Sequence, residues 1–197
     1  TPYKSEDGRE LKPMVVAIDS GGHHTSEVYQ YARERQSLGV VAIKGMSTKN
    51  KPPIGKASKV DLNAKGKTLK KGAQVFPVGS DTIKSLLFGR LKHNDVGPGY
   101  LHFYPTVDKD YFEELTAEKQ VLRFRNGFPE RIWVKKSSAR NEALDELVYA
   151  YAALNRVYQI KDRRTLWDQM EKSPEERKES KRTASAARTQ KSFVNHW

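Results

Sequence analysis

The stretch Met14-Val15-Val16-Ala17-Ile18, running into Asp19-Ser20-Gly21-Gly22, decides how the chain is read. A short, β-branched and almost unbroken apolar run predicts a strand buried on both faces. The paired glycines release the chain from that strand, leaving an acid at its carboxyl end. Residues 26–35 then carry Val28, Tyr31 and Ala32 at helical spacing, and residues 40–44 (VVAIK) repeat the strand pattern. Residues 73–78 (AQVFPV) predict a third strand, which Pro77 confines to a strand end or a sheet edge.

The rest of the body alternates in the same way. Residues 81–92 form an amphipathic helix with Ile83, Leu86, Leu87 and Leu91 on one stripe. Residues 100–104 (YLHFY) read as a strand and residues 111–115 as a short helix. Segments 119–125 and 131–135 flank Asn126-Gly127 and predict an antiparallel pair. Ser138 is placed to cap a long helix over 139–158, with Leu144, Leu147, Val148, Tyr151, Leu154 and Tyr158 as its apolar stripe. Leu166, Trp167 and Met170 suggest one more short helix. Strands alternating with helices, plus one antiparallel pair, predict an α/β fold: a mixed sheet flanked by helices in a single domain over 11–160. A linker over 1–10 and a tail over 161–197 complete the expected organisation.

Composition narrows the function. The chain has 197 residues, 36 Lys+Arg against 24 Asp+Glu, a net charge of +12 and no cysteine. Without cysteine there is no disulfide scaffold, thiolate zinc site or cysteine nucleophile. No apolar run approaches the roughly 18 residues of a membrane span, and no signal peptide precedes the first strand, so an intracellular protein is expected. The start at Thr1 rather than Met suggests a fragment.

The charge is concentrated. Residues 44–71 hold nine lysines against the single acid Asp61, a net of +8, in a Gly-, Pro-, Ser- and Asn-rich stretch that reads as a loop or loosely paired hairpin. Residues 171–197 add seven Lys/Arg against four Glu, a net of +3, with too few apolar residues to offset the entropy of ordering. The body is nearly neutral. A dedicated basic segment favours contact with a phosphate backbone over a merely solvated loop, with Lys49, Lys51, Lys56, Lys59, Lys65, Lys67, Lys70 and Lys71 as the candidate contacts.

Three acids stand where different elements can meet. Asp19 ends the first strand, Asp81 follows the third in the turn VGSD, and Asp145 lies near the start of the long helix with Glu142 three residues before it. Ligands of open α/β sheets gather outside the carboxyl ends of strands. Clustered carboxylates repel one another unless a cation sits among them, and hard oxygen donors suit Mg²⁺ or Mn²⁺. Two such ions can drive phosphodiester hydrolysis. Plainer roles compete: Asp81 as a helix cap, Glu142 and Asp145 as a solvated face near a helix N-terminus. Lys84, one turn after Asp81, could meet a phosphate or simply lie on the surface. His23 and His24 read as a solvent-facing pair rather than ligands, and Gly66-Lys67-Thr68 lacks the upstream glycine and strand of a phosphate-binding loop.

Taken in order and spacing, VVAIDSGGHHTSEVYQYAR, FPVGSDTIKSLLFGRL and SARNEALDELVYAYAAL resemble the C-terminal nuclease domain of the lambda-type large terminase subunit of tailed phages and prophages. The resemblance covers roughly residues 11–158. It implies an RNase H-like fold with a divalent-metal carboxylate site that cuts concatemeric double-stranded DNA during packaging. It implies Asp19 as the first-strand metal ligand, Asp145 as the ligand on the final helix, Asp81 in the segment of the middle acid, and Glu142 as an accessory catalytic group. It also implies an upstream packaging ATPase in the same full-length chain, a small terminase subunit, a procapsid portal for the tail, and the host cytoplasm as the place of action. The simplest RNase H-like order would continue directly into an antiparallel second strand, so the helical segment after Asp19 is expected to be an insertion. A non-catalytic nucleic-acid or packaging-complex binding module is the main alternative. A sugar-kinase-like phosphotransferase ranks last, because that fold needs a second phosphate loop and about twice this length.

Overall fold

In the computed structural model, residues 3–5, 8, 10–46, 48–62, 68–172 and 176 are described. The chain divides into two compact units, one formed by residues 14–156 and the other by residues 1–13 with 157–197. In the second unit Tyr3–Lys4 (β1) pairs antiparallel with Glu10–Leu11 (β2).

The larger unit is built on a four-stranded sheet. Val16–Asp19 (β3) leads through the helix Thr25–Glu34 (α1) and a 3-10 turn to Val40–Met46 (β4). Ser58–Leu62 (β5) and Thr68–Gly79 (β6) follow, and the strand order is β3-β4-β6-β5. β3, β4 and β6 run parallel, and β5 is antiparallel to β6. Next come the helices Ser80–Arg90 (α2) and Lys109–Leu115 (α3) and the hairpin Glu118–Arg125 (β7) with Phe128–Lys135 (β8). The helix Glu142–Ile160 (α4) starts in the larger unit, and Arg163–Glu171 (α5) belongs to the second. Asp162 caps α5, accepting from the Arg164 and Thr165 amides at 3.0 Å.

Strand alternation assigns the two faces of the sheet. Val41 and Ile43 of β4 join Phe76 and Val78 of β6 in a core with Ile83 and Leu87 of α2 and Leu144 and Val148 of α4. Val40 and Ala42, on the opposite face, pack with Val75 and with Ala32 of α1. Helices therefore cover both faces, and β4 is buried on both. Complete burial of Ile43, Ile83 or Leu144 contributes about 1.5–3 kcal/mol per side chain.

Several expectations need correction. β3 lies at the sheet edge, and Met14 and Val16 are exposed. An unbroken apolar run does not distinguish the edge strand from its central neighbour. The segment after Asp19 is no insertion between antiparallel strands: α1 is the crossover that a parallel β3–β4 pair requires. Residues 100–104 form no strand, for no sheet edge receives them; Leu101 and Phe103 pack on the core from an irregular segment. The loosely paired hairpin expected in the lysine-rich stretch, by contrast, is present: β5 pairs antiparallel with β6, with a register shift between Val60 and Leu62. α4 starts at Glu142, after a turn at 137–138, so Ser138 caps nothing; the Glu114 carboxylate instead accepts the Ala143 amide at 3.3 Å.

Pro77 sits in β6, an interior strand, yet keeps to its rule. β5 pairing with β6 begins at Ser58 opposite Val75, and the Pro77 carbonyl accepts the Gly55 amide at 2.8 Å. Its missing N–H therefore falls in the gap between the end of the β5 ladder and the isolated Ile54–Val78 bridge.

Candidate active site

Parallel register fixes where Asp19 points. Asp19 stands opposite Ile43, so it shares the face of β4 that α2 and α4 cover, as Gly45 does two residues further along. The main chain leaves β3 through Ser20, whose amide and hydroxyl both donate to the Ile43 carbonyl at 2.9 and 2.8 Å. The Gly21 amide donates to Asp19 Oδ1 at 3.0 Å. Asp19 is therefore held at the carboxyl end of β3, open to solvent.

Tyr149 of α4 reaches across to it. A Cβ placed on Gly45 would lie 3.2 Å from the Tyr149 hydroxyl and 3.2 Å from Ser80 Oγ. The bare glycine is what lets the phenol enter. Tyr149 donates its hydroxyl hydrogen to the Asp19 carboxylate, and its pKa is pushed far above the ordinary tyrosine value, first by burial and then by the Asp19 and Asp145 charges. It is a fixed neutral donor placed near two carboxylates.

Asp145, one helical turn before Tyr149, is half-buried and held at both oxygens. Lys84 Nζ approaches Oδ1 at 3.5 Å, and Asn141 Nδ2 donates to Oδ2 at 3.1 Å. Both partners are themselves anchored by Glu118, the first residue of β7. Lys84 Nζ lies 2.7 Å from Glu118 Oε1, and Asn141 Nδ2 donates to the same oxygen at 2.9 Å. Side-chain exposure is 12% for Lys84 and 8% for Glu118. The Asp145 pKa is raised, with burial the largest cause, Lys84 opposing it, and Glu118 and Glu142 adding to it.

The sequence-derived candidates thus separate. Asp19 and Asp145 come together around Tyr149. Asp81 is the second residue of α2 and not its cap, since Gly79 holds the cap position without a side-chain bond. Glu142 is exposed in the first turn of α4 and acts on Asp145 only through its charge. Lys84 is neither on the surface nor free for a phosphate; its ammonium serves the two carboxylates. His23 and His24 are exposed, and His24 begins α1 without a side-chain cap bond.

Among the lysines, Lys51, Lys56 and Lys59 are exposed. Lys49 pairs with Glu130 at 3.3 Å and donates to the Arg131 carbonyl of β8. Lys65 and Lys67 lie outside the described residues, as do the side chains of Lys70 and Lys71 and nearly all of the tail beyond Lys172.

Tyr149, Glu118 and Asn141 were absent from the sequence reading. Asp145 and Tyr149, four apart on one helix face, were a usable signal. The Glu118–Lys84 pair, 34 residues apart, left none.

The donor chemistry suits a hard cation. Two carboxylates act on one phenol, which supports Asp19, an ammonium supports Asp145, and the chain has no cysteine thiolate to favour a softer metal. Asp19 and Asp145 are the residues that could hold it. Among the described residues no group of three or more His, Asp or Glu side chains is arranged around a metal position, so the expected three-acid set is represented here by this pair.

Comparison with known proteins agrees with the chain's resemblance. The chain is 32% identical over 159 residues to the terminase large subunit of Escherichia phage lambda, covering 77% of this chain and 23% of that protein. Against the terminase large subunit of Enterobacteria phage P21 it is 33% identical over 161 residues, covering 77% and 24%. The chain spans about a quarter of the length of these relatives. No solved structure matches it. Residues 1–167 match the family model of the endonuclease domain of the terminase large subunit gpA, and the chain belongs to that family.

Proposed function

We propose that this chain is the divalent-metal-dependent endodeoxyribonuclease unit of a DNA-packaging terminase, cutting concatemeric double-stranded DNA in the host cytoplasm. The observation that carries the reading is the placement of Asp19, at the carboxyl end of β3, and Asp145, in the first turns of α4, near the half-buried Tyr149 that enters beside Gly45. Mg²⁺ or Mn²⁺ held by these carboxylates would act as a Lewis acid on the scissile phosphate and make water a nucleophile at neutral pH. A second ion, with Asp81 or Glu142 as a further ligand, completes the two-metal version of the proposal.

The chain's own groups have separable roles. Lys84 and Asn141 take one oxygen each of Asp145 and fix its rotation. Glu118 anchors both and so acts as a positioning residue. Tyr149 keeps its proton and orients Asp19. Exposed Lys51, Lys56 and Lys59, with Lys65, Lys67, Lys70 and Lys71 of the same basic segment, would contact the phosphate backbone without reading sequence.

An RNase H-like assignment is part of the proposal. It is supported by an acid at the end of the first strand of a mixed sheet, on the sheet face covered by the last long helix, which carries the second acid; the parallel β3–β4 pair is a departure from the simplest version. The upstream packaging ATPase, the small terminase subunit and the procapsid portal are its proposed partners.

The test is plasmid nicking in Mn²⁺. Asp19→Ala and Asp145→Ala should each abolish nicking while circular dichroism stays unchanged. Full activity in both variants sinks the assignment.

A further inference from the structure

The hairpin β7–β8 ends in an exposed apolar tip that the site described above does not use. Leu122 is 58% exposed, Phe124 72% and Phe128 76%. A two-residue turn closes the tip, with Asn126 at φ 51° and Gly127 at φ 81°, the positive pair that matches the twist of a tight hairpin. The geometry is compact, so these side chains are displayed on a rigid element.

The register places Leu122 opposite Arg131 and Phe124 opposite Pro129 on one face, and Arg123 and Arg125 opposite Glu130 and Phe128 on the other. Three arginines therefore alternate with the apolar groups. The only acid among residues 121–131 is Glu130, and Lys49 neutralises it at 3.3 Å. The same lysine donates to the Arg131 carbonyl, so the basic segment over 44–71 abuts the hairpin directly.

At its other end the hairpin is fixed to the carboxylate site. Glu118 binds Lys84 and Asn141, Gln120 Nε2 donates to Ser85 Oγ at 3.2 Å, and Trp133 packs on Phe88 with ring centroids 4.7 Å apart. Seven residue steps from Glu118 to Arg125 carry the tip roughly 23 Å outward, about two-thirds of a turn of duplex DNA.

We propose that this tip is a contact for duplex DNA, entering a groove edge-on so that Phe124 on one face and Phe128 on the other meet the bases, while Arg123 and Arg125 meet the flanking phosphates. Apolar wedges flanked by cations suit a duplex that is partly unstacked and bent. The net positive charge of the tip and its continuity with the lysine segment select a polyanion over a second protein surface. The inference rests on the DNA-cutting reading and names a further contact for its substrate.

Its test is binding of the full chain to a fluorescent duplex of about three helical turns in EDTA, where cleavage plays no part. Phe124→Ala with Phe128→Ala should weaken binding roughly tenfold or more, leaving the salt slope unchanged. Arg123→Ala with Arg125→Ala should reduce the salt slope by about two. All four positions lie at the exposed tip, and unchanged circular dichroism and sedimentation would confirm the fold.

Wild-type affinity and slope in both variants overturn this inference alone, since nicking through Asp19 and Asp145 is measured separately. Failure of the wild-type chain to bind duplex at low salt overturns both. Loss of a concentration-dependent self-association in the phenylalanine variant, with DNA binding intact, assigns the tip to protein contact and likewise overturns the inference.

Discussion

Replacing Glu118 probes the centre of the network. Its carboxylate is 8% exposed, lies 2.7 Å from Lys84 Nζ, and accepts from Asn141 at 2.9 Å. In Glu118→Leu the largely buried ammonium keeps only the longer contact to Asp145 at 3.5 Å. Breaking one side of a buried pair in this way costs about 3–5 kcal/mol. At about 2–4 °C per kcal/mol for a chain of this size, Tm should fall by roughly 6–20 °C. Lys84→Met strands Glu118 in the same manner. The double variant Glu118→Leu with Lys84→Met leaves no unpaired charge from this pair, so it should be more stable than the sum of the single losses by about 1.5 kcal/mol or more. Thermal melts of the four proteins measure this coupling. Nicking by the double variant adds a readout that stability alone does not move: Asp145 has lost one holder and the other is unanchored, so activity should stay low even where Tm recovers. Additive stability losses, or a stable and fully active double variant, would refute the reasoning.

Two further outcomes follow from the same geometry. Because burial raises the Asp145 pKa in the folded chain, the protonated form is favoured there. The associated stability is full below the ordinary aspartate value near 4 and is lost as pH rises through the raised value. Asp145→Asn should therefore raise Tm at pH 7 and lose that advantage toward pH 4 in melts across the range; an advantage independent of pH contradicts the account. Gly45→Ala would press a methyl against the Tyr149 hydroxyl at 3.2 Å, so nicking should fall several-fold while near-wild-type melting persists, and unchanged nicking would show that the phenol's placement does not matter.

How far the sequence could be read depended on the range of the forces involved. The run VVAI over 40–43 announced a buried strand, and Asn126-Gly127 announced its hairpin, because backbone and neighbour preferences decide both. MVVAI carried the same pattern yet became an edge strand, since sheet order is set by partners far along the chain. The aromatic run over 100–104 satisfied strand propensity without a ladder to join. Asp19 was legible as an acid closing an apolar run before two glycines, and Asp145 through the resemblance. Glu118 and Lys84 were not, because each looks like an ordinary surface charge until folding removes both from water.

The central claim is that Asp19 and Asp145 share one divalent-cation site. A crystal soaked in Mn²⁺ and measured at the manganese edge tests it most directly. The account predicts anomalous density bounded by both carboxylates beside Tyr149. Manganese bound elsewhere, with none between Asp19 and Asp145 at saturating concentration, would contradict it.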